Sequence, residues 1–234
     1  MARLNETRIG ALLTEPFGAA FVRQAAARPH AEHGTAIAVG IDGDVEVNGV
    51  RGRAVIVPPD VPYALRSAGP AATYLFDPEL APRIAAHARD SGTRVLGRRV
   101  AEVVAAHRAS LARPDVLHGV GDELGRLLAT GTPRPIDRRV ARVAEALRDP
   151  DGEHVPTSLS AAHLRELFAR DIGMPMRRYA LWRRLLHALA RVGPVDLTTA
   201  AHAGGFADLA HFSRTCRRML GYAPSELWAR LVTS

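Results

Sequence analysis

The sequence predicts an α+β protein in two parts: a small antiparallel β-barrel with appended helices, and an all-α C-terminal domain. Three observations predict this class. Short β-rich runs separated by tight turns fill residues 35–76, helical periodicity begins near residue 81, and a short helix, a Gly-Gly turn and a second helix follow from Leu197 onwards. A chain of 234 residues is long enough for each part to bury its own core.

The chain is basic and carries a single cysteine. The formal net charge is +7, and all 31 basic residues are arginine. From Ile136 onwards there are 15 arginines against 10 acidic residues, so the basic excess leans towards the C-terminal part, as expected of a module that binds a polyanion. The lone Cys216 excludes an intrachain disulfide, and no signal peptide or apolar run of about 18 residues is visible. We therefore expect a cytoplasmic protein without membrane contact.

The β-rich segment has the pattern of antiparallel strands joined by tight turns. Gly, Asn, Asp and Pro pairs separate runs of β-branched and small apolar residues, and turns recur every 8–12 residues. These features predict a small barrel or jelly roll. The expected strands are Ala36–Ile41, Val45–Val47, Ala54–Val57 and Ala72–Phe76.

Helical content follows the barrel and then stops at a proline-rich linker. The expected helices are Ile84–Arg89, Arg94–Ala112 and Leu117–Leu128, which would form either an intramolecular scaffold or a dimer contact. In Gly131-Thr132-Pro133-Arg134-Pro135, two prolines within three residues exclude a helix and give a short stiff spacer. We place the domain boundary here, with residues 1–130 before it and residues 136–234 after it.

The C-terminal part begins with three amphipathic helices. One is expected over Asp137–Arg148 and one after an N-cap at Ser160. A long helix runs from Pro175 to about Val192, and its roughly 17 residues would span about 25 Å. A rod of this length suits two DNA-reading helices that face successive major grooves, about 34 Å apart.

Leu197 to Ser225 is the stretch around which the rest of the chain is organised. Gly204-Gly205 supplies the sharp turn between two packed helices. The second helix is expected to begin after Asp208, to stop at Gly221 and to be blocked from continuing by Pro224. Its apolar stripe comprises Leu209, Phe212, Cys216, Met219 and Leu220, and its other face carries Ala210, His211, Ser213, Arg214, Arg217 and Arg218.

This stretch resembles the second helix-turn-helix of the AraC/XylS-type transcription regulators, through the string A-G-G-F-A-D-x-x-H-F-S-R-T-x-R-R-M-x-G-Y-A-P-S. The resemblance implies double-stranded DNA as partner and the residues of the second helix's outer face as DNA contacts. Arginine suits this role because its fork bonds two acceptors on guanine or grips a phosphate. Two positions depart from the family pattern: His202 replaces an apolar residue, and Cys216 replaces a phenylalanine.

The β-rich segment resembles the cupin-like sensor domain of many such regulators. The resemblance covers residues 28–80 and is carried by Pro29–His33, Gly40–Gly43 and Val57–Leu65. It implies a small-molecule effector, for which the candidate pocket residues are His30, Glu32, His33 and Tyr63. Because Tyr63 stands where a further histidine ligand is expected, and His33 points away from a strand face shared by residues 30 and 32, neither a metal nor another cofactor is predicted.

The family resemblance implies two helix-turn-helix units, but the first is incomplete in this sequence. Its reading helix corresponds to S-A-A-H-L-R-E-L-F-A-R-D-I-G, with His163 and Arg165 as outward candidates. The preceding segment, DPDGEHVPTSL, is too short and too rich in Pro and Gly for a full helix and turn. Glu166 occupies a position where the family tends to carry arginine, and a carboxylate near phosphate repels.

Three functions remain open on this basis. The leading one is a DNA-binding transcription regulator whose barrel senses a small molecule or mediates self-association, with a homodimer as one form of assembly. The second is an interaction protein of the same fold that has lost competent DNA binding and acts by pairing with another regulator. The third, a cupin enzyme, is disfavoured because no metal triad, nucleophile–base pair or phosphate loop is visible, so we predict a protein that is not an enzyme.

Overall fold

A computed structural model of the chain describes residues 11–14, 17–22, 28–111, 113–149 and 155–231. The strands in these ranges are β1 (Ala11–Thr14), β2 (Phe17–Val22), β3 (Thr35–Gly40), β4 (Val45–Val47), β5 (Val50–Gly52), β6 (Ala54–Val57), β7 (Leu65–Ser67), β8 (Ala71–Phe76) and β9 (Arg94–Val95). The helices are α1 (Pro82–Ser91), α2 (Arg98–Ala105), α3 (Pro114–Leu128), α4 (Arg138–Ala146), α5 (Ala161–Ile172), α6 (Met176–Leu189), α7 (Leu197–Ala203), α8 (Leu209–Leu220) and α9 (Pro224–Leu231).

The N-terminal part contains two antiparallel sheets. The larger has the strand order β1-β2-β8-β3-β6-β9, and the smaller has the order β5-β4-β7. Strand β3 lies in the middle of the larger sheet, where Ile37 pairs with Tyr74 of β8 on one side and with Ile56 of β6 on the other. Both neighbours of β3 are therefore hydrogen-bonded, which explains why this strand is apolar and buried along its whole length.

The two faces of β3 belong to different cores. Ala36 and Ala38 pack into the cluster between the two sheets. Ile37 and Val39 face the opposite way and pack against α1, α2 and α3, whose buried side chains complete the larger cluster. The predicted β-structure thus has the form of two packed sheets, with the appended helices covering the outer face of the larger one.

Two predicted helices need correction. The helix expected over Arg94–Ala112 is wrong at its start, because Arg94 and Val95 pair with β6 as a short strand and the helix begins only after Gly97. The long helix is shorter than expected, since Met176–Leu189 has 14 residues and spans about 21 Å. As predicted, α8 ends at Gly221 and does not continue past Pro224. Because proline is tolerated in the first turn of a helix, Pro224 opens α9, a helix that the sequence did not predict.

The linker packs against helix α1 of the N-terminal domain. Residues 131–137 form no regular structure. A Cβ on Gly131 would lie 2.4 Å from the backbone nitrogen of His87 and 2.5 Å from the carbonyl oxygen of Arg83, both on α1. Only glycine permits this approach, so the start of the linker is fixed on α1.

Helix α6 joins two apolar clusters in the C-terminal part. Its N-terminal half contributes Tyr179 to a cluster with α4 and α5, and its C-terminal half contributes Trp182 and Leu185 to a cluster with α7 and α8. Each cluster contains one predicted reading helix. A single rod therefore sets the positions of α5 and α8, as the sequence predicts.

Candidate nucleic-acid interface and domain junction

The α7–α8 turn is built by two caps and two glycines. The Asp196 carboxylate accepts hydrogen bonds from the backbone N–H groups of Thr198 and Thr199 at 2.9 and 3.1 Å, and so begins α7. A Cβ on Gly204 would lie 2.6 Å from the Cβ of Ala188 on α6, so α7 ends in close contact with α6. Gly205 has φ 74°, a conformation that glycine adopts without a steric penalty.

Helix α8 is capped at both ends and has one buried face. The Asp208 carboxylate accepts a hydrogen bond from the backbone N–H of His211, and Gly221 ends the helix in the left-handed conformation. The buried face consists of Phe212, Thr215, Cys216 and Met219. Burial raises the pKa of the Cys216 thiol to about 12, so this side chain is a small core group rather than a reactive thiolate.

The outer face of α8 presents cations that have no acidic neighbour on the helix. Ala210, Arg214, Arg217 and Arg218 are exposed, and Ser213 is half-buried. In the described part of the chain, none of the three arginines forms an ion pair or a side-chain hydrogen bond. His211 differs from the others, since its ring packs edge-on against Phe206 with 5.2 Å between the ring centroids. It therefore supports the turn as well as bordering the exposed face.

Helix α5 presents a more neutral face. The Ser160 hydroxyl accepts a hydrogen bond from the backbone N–H of His163 at 3.3 Å, as the predicted N-cap requires. His163, Arg165 and Glu166 are exposed beside one another, so one carboxylate offsets one cation. Residues 155–160 contain no helix, and α4 packs directly against α5. Pro150 and Gly152, which are expected from the sequence to break a helix, lie outside the described residues.

Two polar clusters of the N-terminal domain lie at its junction with the C-terminal helices. In the first, the hydroxyl of Tyr63 donates to Oε2 of Glu32 at 2.7 Å, and Nε2 of His30 lies 3.4 Å from Oε1 of the same carboxylate. The backbones of His30 and Tyr63 form an isolated antiparallel β-bridge, which holds His30, Glu32 and Tyr63 together. A Cβ on Gly221 would lie 2.8 Å from Nδ1 of His30, so this cluster contacts the end of α8.

The second cluster joins the N-terminal domain to α6 through His33 and Glu79. Nε2 of His33 donates to Oε2 of Glu79 at 3.0 Å, and the hydroxyl of Tyr179 on α6 donates to Oε1 at 2.7 Å. Asp77 accepts hydrogen bonds from the Trp182 indole at 3.3 Å and from the Arg183 guanidinium at 3.0 Å. Two buried carboxylates of the N-terminal domain thus receive their hydrogen-bond donors largely from α6.

The pKa values of this cluster follow from burial and charge. Burial opposes the charged form of His33, but the Asp60 and Glu79 carboxylates outweigh it and raise its pKa to about 9. Burial also opposes ionisation of Glu79, yet His33 and the Tyr179 hydroxyl lower its pKa to about 2. At neutral pH the two side chains therefore form a buried ion pair. Burial raises the pKa of Asp77 to about 6.

The C-terminal helices match a known family model, whereas the chain as a whole resembles known proteins in its fold. Residues 156–230 match the family model described as a helix-turn-helix domain. The C-terminal helices within this range therefore form a helix-turn-helix domain. A search of curated protein sequences finds no match to the chain.

Solved structures resemble the chain over nearly its full length. ToxT from Vibrio cholerae O395 aligns with a TM-score of 0.54 and 12% identity, covering 94% of this chain and 99% of ToxT. ToxT bound to an unsaturated fatty acid aligns with a TM-score of 0.50 and 11% identity over 99% of both chains. The AraC-like transcriptional activator CuxR gives a TM-score of 0.44 and 12% identity, covering 96% of this chain and 84% of CuxR. At these identities the likeness to ToxT concerns the fold, a sheet-containing N-terminal domain followed by a helical domain.

The predicted site residues separate into three places. The residues of α8 lie on one helix face, and His163 and Arg165 lie on α5. His30, Glu32 and Tyr63 come together as the sequence suggests, whereas His33 belongs to the cluster of Glu79. None of these four sensor residues lines the two cavities described below. Their role in effector binding stays a prediction.

The residues that join the two domains have no distinctive signal in the sequence. Asp77-Pro78 marks the end of a strand in the sequence, but nothing there distinguishes Asp77 or Glu79 as buried. Tyr179 and Trp182, three residues apart on α6, indicate a buried helix face without indicating its polar partners. Within the described ranges, no group of three or more His, Cys, Asp or Glu side chains is arranged to hold a metal ion. The helices in those ranges are too short or too polar to cross a bilayer.

Proposed function

We propose that this protein is a sequence-specific DNA-binding transcription regulator in which α8 lies in the major groove. The observation that carries the proposal is the outer face of α8, where Arg214, Arg217 and Arg218 are exposed without an acidic partner. In a helix-turn-helix, the N-terminal half of the second helix reaches base edges while other contacts hold the backbone. Arg214 and His211 are accordingly the base-reading candidates, and Arg217 and Arg218 are phosphate-binding candidates.

Affinity and sequence specificity would come from different contacts of α8. Arginine–phosphate contacts would supply most of the affinity and make it depend on salt, whereas base contacts would supply the discrimination between sites. Ala210 and Ser213 lie beside Arg214 and would shape the fit to the groove. His163 and Arg165 would be the corresponding contacts of α5, where Glu166 reduces the attraction to phosphate.

We further propose that the N-terminal domain, residues 1–130, senses a small molecule or pairs two copies of the chain. A cavity of about 610 Å³ lies between α1 and α3, within the usual range for small-molecule sites. Its lining is mostly apolar, including Phe76, Leu80 and Ile84, with two cations, Arg83 and Arg126, and one carboxylate, Asp122, beside them. ToxT has been crystallised with an unsaturated fatty acid, which supports an amphipathic anion as the effector class here.

Selection of genomic fragments with the purified full-length protein tests the DNA-binding proposal. We expect recovery of a common sequence, and we expect Arg214→Ala to weaken binding to it by about 1–3 kcal/mol, because a bidentate arginine–guanine contact is worth that much. Arg99→Ala is the matched control, since Arg99 is an exposed arginine of the sensor-domain helix α2. Equal affinities of the two variants for the selected site would contradict the assignment of α8.

The short first unit favours a second candidate, an interaction protein with impaired DNA binding. The supporting observation is the absence of a helix in residues 155–160, together with Glu166 on the outer face of α5. Such a protein would act by pairing with another regulator. Gel-shift titrations at low salt separate the two proposals: binding that stays weak and independent of sequence favours the second, and a selected site with a salt-dependent affinity favours the first.

A further inference from the structure

A second cavity lies at the junction of the two domains. It has a volume of about 210 Å³, and its walls come from α1, from the linker and from the end of α5. This volume is several times the roughly 30 Å³ that one water molecule occupies in the liquid, and it is smaller than the pockets of drug-sized ligands, which begin near 300 Å³. The cavity therefore suits a ligand of a few heavy atoms.

Three guanidinium groups from three different segments line this cavity. Arg89 comes from the last turn of α1, Arg134 from the linker between the two prolines, and Arg170 from the last turn of α5. The carboxylates in the lining are Asp90 and Asp171. Asp171 already accepts from Nε of Arg170 at 2.7 Å and from the backbone N–H of Asp137 at 2.8 Å, so its acceptor capacity is largely used.

The cations of the cavity are not fully neutralised by the protein. Neither Arg89 nor Arg134 forms an ion pair or a side-chain hydrogen bond within the described residues. A Cβ on Gly173 would lie 2.7 Å from Nη2 of Arg89, which places this guanidinium against the C-terminal end of α5. Burial lowers the pKa of Arg89, the Asp60 carboxylate acts in the opposite direction, and the charge of Arg134 lowers it further.

We infer that Arg89, Arg134 and Arg170 form a binding site for a small dianion, a phosphate group or a short dicarboxylate, at the junction of the two domains. The forked geometry of arginine matches both kinds of ligand, and an anion between Arg89 and Arg134 replaces their repulsion with charge-assisted hydrogen bonds. Because the arginines belong to α1, the linker and α5, the bound anion joins the sensor domain to the helix-turn-helix domain. The inference holds whether or not α8 binds DNA.

Isothermal titration calorimetry of the full-length protein tests the site, with inorganic phosphate and succinate as probes in a chloride buffer of constant ionic strength. We expect saturable binding of at least one probe, with a Kd of about 1 mM or lower. Arg89→Ala and Arg134→Ala should each weaken this binding by roughly tenfold or more, since each removes a charge-assisted contact. The two probes distinguish a phosphate ligand from a dicarboxylate.

Arg99→Ala is the control, and it should bind the probe as the unaltered chain does. The absence of saturable binding for both probes would overturn the inference, as would binding that Arg89→Ala, Arg134→Ala and the control all change equally. A titration with duplex DNA of mixed sequence tests the alternative role of the three arginines, which is contact with the DNA backbone. If the two cavity variants weaken duplex binding while neither small anion binds, the cluster is a DNA-backbone contact and the dianion site is refuted.

Discussion

The ion pair between His33 and Glu79 makes a quantitative prediction about the pH dependence of folding. In the unfolded chain a histidine titrates near pH 6.5, whereas in the folded protein the pKa of His33 is raised to about 9. A group whose pKa is raised by folding contributes stability that is fully present below its unfolded pKa. That contribution is lost as the pH rises through the folded value, which here gives a window from about pH 6.5 to about pH 9.

The size of the effect follows from the same two values. Each tenfold change in a proton-binding constant corresponds to about 1.4 kcal/mol, so the rise from 6.5 to about 9 corresponds to roughly 3 kcal/mol. The side chain of His33 is fully buried and that of Glu79 is 3% exposed, so solvent screens the pair little. The carboxylates Asp77 and Glu79, with pKa values of about 6 and 2, titrate below this window.

Denaturant unfolding of the unaltered chain and of His33→Gln, at a series of pH values, checks the prediction. We expect the difference in unfolding free energy between the two proteins to be largest at pH 6.5 and to shrink by roughly 3 kcal/mol above pH 9. Subtraction cancels the groups whose pKa does not depend on His33, such as His30, whose pKa is also raised. His163→Gln, at an exposed position, is the matched control. A difference that stays constant across this range would refute the ionised pair.

Three further substitutions test the helix-turn-helix itself, each by denaturant unfolding. Gly204→Ala should cost about 1–3 kcal/mol, since its Cβ would lie 2.8 Å from the carbonyl oxygen of Arg184; a neutral effect would mean that α6 and α7 separate easily. Asp208→Ala should cost about 1 kcal/mol through the lost N-cap, and restoration by Asp208→Ser would confirm that cause. Gly221→Ala should cost at least about 1 kcal/mol because φ is 76°. The loss of unfolding free energy in Gly221→Ala should exceed that in Gly49→Ala, where φ is 82° but the space around the new Cβ is open.

Local patterns predicted the elements of the C-terminal domain well. Asp208, Gly204-Gly205 and Gly221 are signals whose effect lies within a few residues, and the structure has a cap, a turn and a stop at these places. The apolar stripe of α8 also follows from spacing alone, except that Leu209 and Leu220 are half-buried and Thr215 is buried in their place. Periodicity identifies the face of a helix but not how deeply each member of that face is covered.

Pairing between distant segments could not be predicted in the same way. Arg94 and Val95 have helical spacing with the residues that follow, yet they form a strand because β6 offers them an open edge. The strands β5 and β7 were missed because each has only one large apolar residue among three, so neither shows the alternation that marks β4. For β1 and β2, Pro16 and Gly18 interrupt the pattern, and the pairing of β2 with β8 decides the structure.

The polar contacts between the two domains could not be predicted from the sequence. His33, Asp77 and Glu79 are ordinary polar residues of loops in the sequence, and their burial depends on Tyr179, Trp182 and Arg183 from a helix about 100 residues later. Their donors lie on α6, the helix whose two halves anchor the clusters of α5 and of α8. A shift of the loop that holds Asp77 and Glu79 would leave two buried carboxylates without donors unless α6 moved with it. The N-terminal domain therefore holds α6, the helix that sets the spacing of α5 and α8.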